Sequence, residues 1–78
     1  MPGRYVAFVR EDAVKEANLD PKYIYTVNAL WNSGLPRDAY RWFTVSTYGS
    51  VDDLSHDEEF RKFDENPEYR KLYLTAGN

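Results

Sequence analysis

Tyr23-Ile24-Tyr25-Thr26-Val27 and Tyr40-Arg41-Trp42-Phe43-Thr44-Val45 stand on either side of Asn32-Ser33-Gly34-Leu35-Pro36-Arg37-Asp38. Aromatic and β-branched residues at this density favour strands, and a Ser-Gly followed by a Pro favours a turn between them. The reading is a long hairpin. Tyr23, Tyr25, Val27, Ala29 and Trp31 then share one face of the second strand, and Ile24, Thr26, Asn28 and Leu30 the other. The third strand divides into Tyr40, Trp42, Thr44, Ser46 and Tyr48 against Arg41, Phe43, Val45 and Thr47. Which set meets the helices depends on register, because a slip of one residue exchanges the faces.

A rival reading of the first run exists. Asp20-Pro21 suits an N-cap followed by the first helical position, beginning a helix that ends before Gly34 with Ile24, Val27 and Trp31 on one side. The strand is preferred because five consecutive β-favouring residues outweigh one capping pair and an equally β-rich partner follows.

Upstream, Arg4 to Arg10 alternates Val6 and Phe8 against Tyr5, Ala7 and Val9, the pattern of a strand buried on both faces or inside a sheet. Glu11 to Leu19 sets Ala13, Val14, Ala17 and Leu19 among Glu and Lys, a short helix that needs packing to persist. Downstream, Ser50-Val51-Asp52-Asp53 and Ser55-His56-Asp57-Glu58 each resemble a capping box. They predict a short turn followed by an acidic helix, with Arg61 and Lys62 complementing its C-terminal pole. Asn66-Pro67 then opens a last helical turn or two, with Tyr69, Leu72 and Tyr73 at the spacing of one buried face.

Composition narrows the function classes. The chain has 78 residues, a net charge of −3 and no cysteine, so residues 1–78 are taken as one domain without disulfides or thiolate metal sites. Seven Tyr, four Phe and two Trp are more large rings than a thin core covers, which points to association. Residues 49–78 hold eight acids against four bases, so no nucleic-acid surface is expected. No apolar run is long enough for a membrane span, and the N-terminus lacks the layout of a secretory signal. A soluble cytoplasmic protein is expected.

A β-α-β-β-α order, together with Gly49-Ser50-Val51-Asp52-Asp53-Leu54, the Phe-bearing acidic helix and Asn66-Pro67-Glu68-Tyr69-Arg70-Lys71-Leu72, resembles the dimeric α+β barrel superfamily, closest in flavour to its NIPSNAP-like and antibiotic-biosynthesis-monooxygenase-like branch. The matching positions are Ser50, Asp53, Leu54, Pro67, Glu68 and Tyr69, across roughly the last two-thirds of the chain. The resemblance implies a ferredoxin-like antiparallel sheet with helices on one face. It also implies a homodimer joined by the other face and a pocket for a small apolar molecule between the sheets. Only Leu72-Tyr73-Leu74-Thr75 remains for the superfamily's fourth strand, which is expected to be vestigial or replaced by a partner's edge.

The candidate ligand or interface residues are Tyr25, Trp31, Arg41, Trp42 and His56. The tryptophans offer broad apolar surface with one donor each, against ordinary core packing. Arg41 lies between Tyr40 and Trp42, where it either stacks or snorkels. His56 has Asp52, Asp53 and Glu59 nearby for acid-base work, against a plain exposed helix-start residue. No second imidazole, thiolate cluster, nucleophile triad or phosphate loop accompanies them, so no metal or cofactor is expected and catalysis is disfavoured. Two functions follow: a self-associating, non-catalytic domain holding a small apolar ligand, or a small phage or host regulator that binds a larger protein.

Overall fold

The structure is a computed structural model that describes residues 4–45 and 54–76. Its elements run β1 (Arg4–Arg10), α1 (Glu11–Glu16), β2 (Tyr25–Thr26), α2 (Val27–Trp31), a 3-10 turn (Arg37–Ala39), β3 (Tyr40–Thr44), α3 (Glu58–Asp64) and β4 (Tyr69–Thr75). The class is α+β, and the strands form one four-stranded sheet in the order β2-β4-β1-β3.

β1 is the middle of the ladder. It pairs antiparallel with β3, Ala7 opposite Trp42, and antiparallel with β4, Ala7 opposite Leu72. Val6, Ala7, Phe8 and Val9 are all 1% exposed or less, so β1 is buried on both faces as its alternation requires. α1 follows without a loop, and the Glu11 N–H still bonds to the Glu68 carbonyl at 2.9 Å. The helix stops at a Schellman motif: Asn18 is left-handed (φ 57°), Leu19 N–H donates to Val14 O and Asn18 N–H to Lys15 O.

The long hairpin is not formed. β2 is only Tyr25–Thr26, pairs in parallel with β4, and lies at the opposite edge of the sheet from β3. From Val27 the chain is helical instead, because Thr26 caps α2 by accepting a hydrogen bond from Ala29 N–H at 3.0 Å and Leu30 is fully buried. Sealing one leucine in the core outweighs a β-rich local composition.

The expectation of a missing fourth strand is overturned as well. Tyr69–Thr75 is a strand of seven residues, not a helical turn. Its Leu72 and Leu74 point to one face, while Tyr69 packs on the other. Nor do the helices share a face. α1 and α2 cover Ala7, Val9, Leu72 and Leu74, whereas α3 seals Val6 and Phe8 on the reverse through Phe60 and Phe63. The parallel β2–β4 pair makes the sheet mixed.

α3 begins later than the Ser55 box predicts. Its cap is Asp57, whose carboxylate accepts from Phe60 N–H at 3.0 Å. The earlier box at Ser50 to Asp53 lies outside the described residues.

Candidate functional site

The β3 edge combines half-buried rings with backbone groups that turn away from β1. Val45 N–H donates to Arg4 O at 2.9 Å, which makes Arg4 and Val45 a hydrogen-bonded pair of the β1–β3 ladder. Antiparallel pairs alternate, so Val6–Phe43 and Phe8–Arg41 are bonded pairs too. The N–H and C=O groups of Tyr40, Trp42 and Thr44 therefore face away from β1, and among the described residues no strand lies beyond them.

The side chains of Tyr40 and Trp42 lie on the α1/α2 face. Leu30 anchors α2, and the next residue, Trp31, is carried to the rim, 48% exposed. There its ring stacks on Trp42 with centroids 6.1 Å apart and planes at 26°. Tyr40 meets Trp42 edge-on at 5.7 Å, and the Arg37 guanidinium sits 4.8 Å above the Trp31 ring. These residues and Arg41 line an open depression of about 360 Å³. On the reverse face, Arg41 pairs with Glu59 at 3.1 Å and lies 5.0 Å from the Phe43 ring centre. The charge of Arg41 is thus balanced from α3.

The structure brings together Trp31, Trp42 and Arg41, but not the other two candidates. Tyr25 is half-buried at the β2 edge, where its hydroxyl accepts from Asp20 N–H at 2.9 Å and its ring meets Tyr23 at 4.7 Å. That role is local and structural. His56 is exposed in the turn before α3. Asp52 and Asp53, its expected partners, lie outside the described residues. Sequence reasoning missed Arg37, although its place three residues before Tyr40 and beyond a Pro left it free to reach back over α2.

The other depressions carry less chemistry. One of about 590 Å³ lies along α3 and the turn after it, lined by Glu58, Glu59, Lys62 and Tyr69 among others, and another of about 300 Å³ lies between α1 and the Gly34 turn. Among the described residues no group of three or more His, Cys, Asp or Glu side chains could hold a metal ion. Among the described residues, the ion pair that shifts the ionisation of its members lies away from this edge. Arg70 donates to both Glu11 oxygens at 2.8 and 3.0 Å, which holds the Glu11 carboxyl below its ordinary value and raises the Arg70 guanidinium above its own. No helix among the described residues is long and apolar enough to cross a membrane.

The chain matches no family model, and it has no significant match among curated proteins or solved structures.

Proposed function

We propose that this is a non-catalytic binding domain that takes up an extended polypeptide along β3, with Trp31 and Trp42 as its anchor. One observation carries the proposal: two stacked, solvent-reaching indoles lie beside a row of outward N–H and C=O groups. Strand addition draws affinity from such backbone groups and selectivity from side-chain contacts next to them, and Trp, Tyr and Arg dominate interface hot spots. The barrel-type assembly implied by the superfamily resemblance uses an open sheet face. Here α1 and α2 occupy one face and α3 the other, which favours an edge. The depression at Trp31 and Trp42 is shallow and flanked by guanidinium groups, a better fit to a passing strand than to an enclosed apolar molecule.

A random linear peptide library panned on the wild type and on Trp31→Ser tests this. The expected peptides bind the wild type, lose affinity for Trp31→Ser and shift the amide resonances of Tyr40, Trp42 and Thr44. Peptides that bind both proteins equally, or that perturb only α3, overturn the proposal.

A second reading rests on Tyr23 and Ile24, 61% and 58% exposed near the opposite edge. They suit a small regulator docking on a larger protein by its β2 side. In that case peptide binding survives Trp31→Ser and is lost in Ile24→Ser.

A further inference from the structure

We propose that the strand taken up by β3 is β3 of a second copy of this chain, antiparallel, with Trp42 on the twofold axis. The inference rests on the strand-addition reading above and names its occupant and register.

Backbone parity restricts the choice. Among the described residues of β3, Tyr40, Trp42 and Thr44 present outward groups, so a symmetric pairing within them must set these residues against one another. Centred on Trp42, the pairing places Tyr40 opposite Thr44 of the second copy and Trp42 opposite its equivalent. Every outward N–H and C=O of the three residues then has a partner. Centring on Arg41 sets two guanidinium groups against each other and leaves Thr44 unpaired. Centring on Phe43 leaves Tyr40 without a partner among the described residues.

Side chains agree with the Trp42 register. Directly bonded antiparallel residues lie about 5.5 Å apart at Cα, within reach for two Trp42 rings. Since each already stacks on its own Trp31, the indoles would form one continuous row across the axis. On the reverse face Arg41 falls opposite Phe43 of the second copy, repeating the cation-to-ring contact it makes within the chain at 5.0 Å. Glu59 already balances Arg41, so bringing two copies together opposes no uncompensated charge at this point. The β4 edge is less suited. β2 covers Leu74 and Thr75, and Arg70 and Lys71 blunt the rest.

The chain contains no cysteine, so Thr44→Cys carries a nitroxide label at one defined site. Two labelled residues on either side of the axis are four residues apart along the strand, which places their Cα atoms about 15 Å apart. Sedimentation equilibrium of the unlabelled wild type is expected to show a dimer, and the labelled protein a dipolar coupling that corresponds to this short separation. Thr44→Pro removes an N–H that β1 does not use, and is expected to abolish the dimer while leaving the circular dichroism of the fold intact. A wild-type protein that stays monomeric up to about 1 mM overturns the inference. So does a dimer whose labels show no coupling, or one that persists in a folded Thr44→Pro. In each case, peptides that still depend on Trp31 and map to Tyr40, Trp42 and Thr44 leave the strand-addition reading standing.

Discussion

Phe60→Ala tests whether α3 seals the second face of the sheet. Phe60 is 1% exposed and packs edge-on against Phe8 at 5.1 Å and Phe43 at 5.3 Å. Truncating a buried Phe to Ala costs about 3–5 kcal/mol, and edge-to-face ring contacts of this kind account for about 0.5–1.5 kcal/mol apiece within it. A domain of this length has a total stability of roughly 4–12 kcal/mol, so the loss is about a quarter or more of the whole. Urea unfolding should be followed by far-UV circular dichroism and by tryptophan fluorescence. The two indoles lie on the α2 side of the sheet, whereas Phe60 lies on the other. Coincident curves displaced together to lower urea would show that both faces unfold as one unit. Lys62→Ala, exposed on the same helix, should change stability by no more than about 0.5 kcal/mol. A Phe60→Ala loss as small as that of Lys62→Ala would refute the packing of α3 against Phe8.

Thr26→Val removes the hydroxyl that caps α2 and should cost about 0.5–2 kcal/mol, with a more exposed Trp31 detected by acrylamide quenching. Gly34→Ala should cost about 1–2 kcal/mol in thermal unfolding although nothing lies within 4 Å of its new methyl, because φ is +89° there. The Glu11–Arg70 pair gives a pH signature. Since the folded-state pKa of Glu11 is depressed, the pair's contribution is present above the ordinary carboxylate value and is lost as pH falls through the lower folded value. The stability difference between wild type and Glu11→Gln should therefore fade on acidification, and salt should shrink it throughout because the pair is exposed.

Local pattern sufficed where one period alone fitted the residues. The alternation of Val6, Ala7, Phe8 and Val9 leaves no helical face, and β1 is the doubly buried strand it suggests. The acid-first, base-last charge order of α3 likewise marks its helix. Two segments satisfied both periods. Tyr69, Leu72 and Tyr73 fit a helical face, yet Leu72-Tyr73-Leu74-Thr75 also alternates, and only pairing with β1 decides between them. Tyr23-Ile24-Tyr25 is β-rich because its rings meet solvent and one another, with no strand partner for Tyr23 or Ile24 among the described residues. The decisive signal there was Thr26 ahead of Leu30, a cap followed by a buried anchor. Trp31 and Trp42 do meet, but through a helix end resting on a strand, so the candidate pair was legible and the route to it was not.

β1 bonds on one side to residues 40–44 and on the other to residues 69–75. On a ribosome, β1 must therefore wait for β4 before its second row of amides is satisfied. Until Tyr69–Thr75 emerges, Ala7 and Val9 have no strand on that flank, and the apolar surface later shared with Leu72 and Leu74 stays open. Nascent chains arrested before Tyr69 should consequently be protease-sensitive and favoured by chaperones, with protection arriving abruptly once β4 clears the exit tunnel.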